Sequence, residues 1–269
     1  MEKMTIIWAN TIEHTGGTLL CNAILSNFRD PVWLGDVHLM QRGNDRGLDD
    51  YPLYQWGDRT IELLSAEELS KEAILLSSHH TNSYSPSMRE IISGMKLPCP
   101  VVMSIRDPLL IINTWTWWSY AIYGVPIKNM KRWERQMRVN HVSNVIVNTI
   151  DAAMNNPNVF LFTIGLPGQA DLKLRMQNAS ALFKRLGVEF TTASQKFFED
   201  WKPMNETRYG HDLKNKNGSE EFYTYKNKIL TKDVDFLMEN YDVEMHMLNN
   251  NYILREKLIS IGYENLAWW

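Results

Sequence analysis

The residues best suited to chemistry fall into three groups. The first is the loop His14-Thr15-Gly16-Gly17-Thr18-Leu19, between an apolar run (Ile6, Ile7, Trp8, Ala9) and an amphipathic stretch with Leu19, Leu20, Ala23, Ile24 and Phe28. Backbone N–H groups at a helix start favour an anion, glycines permit close approach and positive φ, and Thr15 and Thr18 supply hydroxyls, so the segment has the parts of a phosphate cradle. The second is Arg106-Asp107-Pro108, with Thr114 eight residues past the arginine. Val101, Val102, Met103 and Ile105 read as a buried parallel strand, which brings Arg106 to the carboxyl edge where ligands sit in open α/β sheets. A guanidinium there binds phosphate in a bidentate fork. The third is His79-His80, ending the strand-like Ala73–Ser78. An imidazole there is suited to taking the proton of a hydroxyl as it attacks. Each group also has a structural explanation: an ordinary strand-turn-helix, an Arg106–Asp107 ion pair capping the next helix, and two hydrogen-bonded histidines.

An ATP- or GTP-type loop needs a lysine directly after its last glycine, and none follows Gly16 or Gly17. The stretch Glu13-His14-Thr15-Gly16-Gly17-Thr18-Leu19-Leu20 instead resembles the 5′-phosphosulfate loop of sulfotransferases that use 3′-phosphoadenosine 5′-phosphosulfate (PAPS), written P-[KR]-[ST]-G-[ST]-T-x-[LF]. That family follows a later strand with R-[DN]-P and a Ser or Thr eight residues on, as Arg106, Asp107, Pro108 and Thr114 do. Ser78-His79 resembles its K-T-H segment, which carries the catalytic base. Side chains alternate along a strand, so one of His79 and His80 faces the cleft, and the resemblance favours His79.

The resemblance implies that residues 14–19 hold the 5′-phosphosulfate, that Arg106 and Thr114 hold the 3′-phosphate, and that His14 stabilises charge at the leaving oxygen. No metal is required, because donors meet the charge of PAPS. Two departures stand out. His14 replaces the family's Lys or Arg and Glu13 its Pro; a histidine neutralises charge only when protonated or as a donor, with an unperturbed pKa of about 6.5. Toward the C-terminus, the family's G-x-x-G-x-W-K loop over the adenine and 3′-phosphate is matched only loosely, by the basic 205–214, whose Arg208 is a candidate cofactor contact.

The elements that must position these groups alternate: strand 4–9, helix 17–28, a loop-rich insertion 29–59, helix 60–71, strand 73–79, helix 86–95, strand 100–105 and helix 108–122. Helical patterns cover 127–155, Asn158–Ile164 reads as a strand, and the helix starting at Leu172 stops at Gly187. From about 219 the chain reads as helices. Alternation of this kind predicts an α/β fold with a mostly parallel sheet flanked by helices in three layers, which the resemblance makes the P-loop NTPase-like sulfotransferase fold.

With 269 residues, 44% hydrophobic and 22% charged, the chain is expected to form a single domain. A net charge of −3 gives no attraction to nucleic acid. Cys21 and Cys99 have no metal-like spacing. No run of about eighteen apolar residues and no leader-like stretch are seen, so the expectation is a cytoplasmic protein without a membrane anchor. Lys131, Arg135 and Arg138 share a helix face and read as a solvated one, with a rim attracting PAPS or an acidic acceptor as the alternative. Trp117, Trp118 or Tyr120 is a candidate for the acceptor pocket, as is the insertion, whose Asp36, Asp45, Asp49 and Asp50 suit a cationic acceptor. Ala267-Trp268-Trp269 packs either on its own domain or on a second copy in a homodimer.

These expectations combine into a PAPS-dependent enzyme that sulfates a hydroxyl or amine of a small-molecule or carbohydrate acceptor and releases adenosine 3′,5′-bisphosphate (PAP). The competing readings are a catalytically inactive PAP-binding module and an atypical nucleotide kinase.

Overall fold

A computed structural model of the chain describes residues 5–11, 17–34, 72–79, 100–123, 130–163, 172–199, 219–263, 266 and 268. They form two compact units. The first comprises Met1–Ile105, Asp151–Ile164 and Leu172–Glu199; the second comprises Arg106–Ile150, Gly165–Asp171 and Asp200–Trp269.

The first unit is built on five parallel strands: β1 (Thr5–Thr11), β2 (Pro31–Leu34), β3 (Ala73–His79), β4 (Val101–Ile105) and β5 (Val159–Thr163), in the order β2-β3-β1-β4-β5. This is the expected α/β class. Ile7, Trp8, Ala9 and every residue of β4 are buried, as parallel strands covered on both faces should be. β2 lies inside the stretch expected to be loop-rich. Its opening Pro31 fits an edge position, where a missing N–H costs no ladder bond, and this short edge strand lacks the long apolar run of a central one. β1 runs to Thr11, two residues beyond the expected end, because its polar Asn10 and Thr11 still pair with Ser78 and His79.

Helix α1 (Gly17–Leu25) stops before the expected residue 28, since the side chains of Ser26 and Asn27 donate to the Ala23 carbonyl and draw the chain out of the helix. α2 (Pro108–Tyr123) and α3 (Arg132–Asn155) follow β4; α4 (Leu172–Leu186) and α5 (Thr192–Glu199) follow β5. α4 ends as its glycine predicts: Gly187 has φ 69°, and Val188 and Gly187 donate to the Phe183 and Lys184 carbonyls. Phe183, Phe190 and Phe198 close the space beneath α4 and α5, with ring centroids 5.0–6.2 Å apart.

In the second unit, α2 packs on α6 (Ser219–Leu230), followed by α7 (Val234–Asn240), α8 (Asp242–Asn249) and α9 (Tyr252–Ser260). Leu109, Leu110, Ile111 and Ile112 are all buried, each contributing roughly 1.5–3 kcal/mol by the usual transfer scale. No helix among the described residues is long and apolar enough to cross a membrane. The expected helices at 60–71 and 86–95 lie outside the described residues.

Candidate functional site

In the first unit, the order of the strands makes the carboxyl end of β1 a switch point: the chain proceeds from β1 to β2 and β3 on one side, then to β4 and β5 on the other. Open α/β sheets bind ligands at such a point. Thr11 ends β1 and pairs in register with His79, which ends β3, so the backbone of one candidate base stands at this edge. α1 begins six residues after Thr11, and its first amides have no intrahelical acceptor.

Gly17 and Thr11 fit closely. A Cβ on Gly17 would lie 2.2 Å from Thr11 Oγ1, and both residues are buried. Among the described glycines the positive φ angles are at Gly187 and Gly262, not at Gly17. The expectation that Gly17 supplies positive φ is therefore corrected: its missing side chain makes room for Thr11 at the base of the loop. Thr18 and Leu19 fall in the first turn of α1, with Leu19 half-buried. His14, Thr15, Gly16 and His80 lie outside the described residues, as does Arg208.

In the second unit, Arg106 directly follows β4 and is 6% exposed. Burial lowers its pKa to about 10, with Asp107 pulling the other way, so it remains charged at neutral pH. Asp107 caps α2: its Oδ1 accepts from the Leu109 amide at 2.8 Å, its carbonyl accepts from the Ile111 amide, and Pro108 takes the first helical position, where no N–H is needed. The same Oδ1 accepts from the indole Nε1–H of Trp268 at 3.3 Å. Burial raises the pKa of Asp107, opposed by these hydrogen bonds and by Arg106.

Thr114 is buried two turns along α2, and its hydroxyl donates to the Leu110 carbonyl at 2.8 Å. A phosphate offers only acceptors at neutral pH, so binding one requires this O–H to rotate away from Leu110. The neighbouring Asn113, fully buried, accepts from the Tyr241 hydroxyl at 2.6 Å. Tyr263 and Trp268 were not singled out by sequence as neighbours of the arginine motif. Trp268 stands 161 positions from Asp107, and no local pattern announces such a contact.

The basic face of α3 is not a simple solvated one. Lys131 is exposed, but Arg135 is paired with Glu244 and lies 3.0 Å from Asp242, while it also donates to the Asn240 carbonyl. Arg138 donates to Thr116 Oγ1 at 3.1 Å and covers the Trp115 ring. Both arginines are thus engaged with their own unit, which departs from the expected solvated face and leaves little of the alternative, an anion-attracting rim. Trp115 also meets His141, at 5.5 Å between centroids. The side chains of Trp117, Trp118 and Tyr120 lie outside the described residues, as do Asp36, Asp45, Asp49 and Asp50. Among the described residues, no three His, Cys, Asp or Glu gather to hold a metal ion.

No protein-family model matches the chain, and no curated protein matches it in sequence. Solved structures do. The sulfotransferase domain from the curacin biosynthetic pathway aligns over 98% of this chain and 99% of its own, with a TM-score of 0.50 and 12% identity. A mouse sulfotransferase, SULT7A1, complexed with PAP, aligns over 78% of this chain at 9% identity and a TM-score of 0.45; the match spans 66% of the mouse chain, slightly under two thirds. At such identities a likeness speaks for the fold alone, and the curacin domain, matched end to end, carries it: the chain has the sulfotransferase fold.

Proposed function

We propose that the protein is a PAPS-dependent sulfotransferase, acting as a single domain in the cytoplasm on a hydroxyl or amine of a small-molecule or carbohydrate acceptor. The observation that carries this reading is Arg106 with Thr114. A buried, charged guanidinium directly follows a central parallel strand, and a hydroxyl lies two turns along the helix that Asp107 caps. This donor set suits a phosphate dianion, which needs a fork and a second donor. The first amides of α1, which have no intrahelical acceptor and follow the close Thr11–Gly17 contact, suit a second anionic group.

PAPS supplies an activated sulfuryl group: the acceptor oxygen or nitrogen forms a bond to sulfur, the bond from sulfur to the phosphate oxygen breaks, and PAP leaves. The protein's residues do the rest. Amides from Thr15 to Leu19 and the hydroxyls of Thr15 and Thr18 hold the 5′ end; Arg106 and Thr114 hold the 3′-phosphate, and Arg208 is a further cofactor contact. His79 or His80 takes the acceptor's proton, and His14 donates toward the oxygen on which charge develops.

His14 itself favours one second reading, a PAP-binding module without turnover, because it stands where the family places a fixed cation. Calorimetric titration with PAP, adenosine 5′-phosphate and ATP–Mg, followed by an acceptor screen with PAPS, separates the cases. PAP binding that requires the 3′-phosphate and is lost in Arg106→Ala supports the transferase or the module, and turnover decides between them. A preference for ATP–Mg points to a kinase and removes both.

A further inference from the structure

The C-terminal segment reaches the arginine motif from far along the chain. Two residues past the end of α9 stands Gly262, whose φ of 82° lets Tyr263 and Gly262 donate to the Leu258 and Ile259 carbonyls, turning the chain sharply out of the helix. Tyr263, Leu266 and Trp268 are then all buried. Trp268 places its indole N–H on Asp107 Oδ1, the same oxygen that accepts the Leu109 amide. Tyr263 lies close enough to Arg106 and Asp107 to feel both charges.

Two donors from opposite ends of the unit's sequence thus hold one carboxylate oxygen. The Leu109 and Leu110 amides tie Asp107 to the helix start, as an N-cap does. The indole adds a donor from outside the helix to Asp107, the residue that directly follows Arg106. A buried tryptophan needs a partner for its N–H, and Asp107 Oδ1 is one.

We infer that Trp268 is a positioning residue for Arg106: through Asp107 it holds the guanidinium in the orientation that recognises the 3′-phosphate of the nucleotide. The inference rests on the reading of Arg106 given under the proposed function. It assigns the end of the chain a part in nucleotide discrimination, which no motif there announces.

The test is the ratio of the dissociation constants for adenosine 5′-phosphate and PAP, measured by calorimetry on the full chain. Trp268→Phe keeps an aromatic ring and deletes the N–H; it is expected to lower the ratio about tenfold by weakening PAP binding, with adenosine 5′-phosphate binding nearly unchanged. Asp107→Ala should lower it similarly, whereas Asp107→Asn, which keeps an oxygen acceptor for both donors, should retain most of it. A Trp268→Phe ratio equal to wild type overturns the inference, and so does equal weakening of both nucleotides, the mark of a merely structural role. If Trp268→Phe fails to fold, the Asp107→Ala and Asp107→Asn pair decides, and equal losses in the two overturn it. Arg106→Ala is measured alongside. Should it leave the ratio intact, the 3′-phosphate reading itself fails and the inference falls with it; a ratio lost in Arg106→Ala but kept in Trp268→Phe removes only the inference.

Discussion

Gly17 and Thr11 meet so closely that a Cβ on the glycine would stand 2.2 Å from Thr11 Oγ1 and 3.0 Å from Thr11 Cβ. Strand β1 and helix α1 are thereby fastened at the two ends of the loop between them. The contact gives the glycine a steric purpose separate from its backbone angles.

Gly17→Ala should accordingly destabilise the protein by about 1–3 kcal/mol, the usual range for overpacking a tight site. Thr11→Ala combined with Gly17→Ala should recover a large part of that loss, since it removes the nearest atom. Urea denaturation of the two single variants and the double variant gives the coupling; strict additivity would contradict the contact.

Asp107 yields a pH dependence. Burial holds its folded pKa above the unfolded value of about 3.9, so the folded state binds the proton more tightly. Its favourable contribution is complete below that unfolded value and is lost as pH rises through the folded one. Asp107→Asn, which cannot ionise, should therefore gain stability relative to wild type as pH is raised from about 4 to 7. Thermal melts across that range check the sign; a gap that narrows toward neutrality would be wrong for a buried carboxylate.

Arg135 joins α3 to the start of α8 through Glu244, whose side chain is 5% exposed, and through Asp242. Removing the arginine leaves Glu244 buried without its main cation. Arg135→Ala is expected to cost about 3 kcal/mol, with Arg135→Lys recovering part of it because a single ammonium cannot reproduce the fork. Guanidinium chloride adds ionic strength, so urea is the suitable denaturant for this comparison.

Substitution at His14 tests whether rate and binding separate as the proposed function expects. If the proposed chemistry holds, His14→Lys should raise turnover with PAPS and His14→Ala should lower it, both with PAP affinity changed less than rate. Single-turnover kinetics with a hydroxyl acceptor would read this directly. Equal rates in all three proteins would take His14 out of the reaction.

Periodicity alone identified the sheet's central strands, because a strand buried on both faces must be apolar throughout, as Val101–Ile105 is. The stop of α4 at Gly187 and the opening of α2 at Asp107-Pro108 were equally legible, since caps depend on residues adjacent in the chain. The edge strand β2 was not, for four residues beginning with proline carry too weak a pattern. Nor was the engagement of Arg135 and Arg138, whose spacing shows a shared helix face but not what covers it. The arginine motif lies along one short segment and could be read there. Its partner Trp268 could not, because burial of that indole depends on how α9 and the final turn return to α2, and contacts between distant parts of the chain are decided by packing rather than by any local preference.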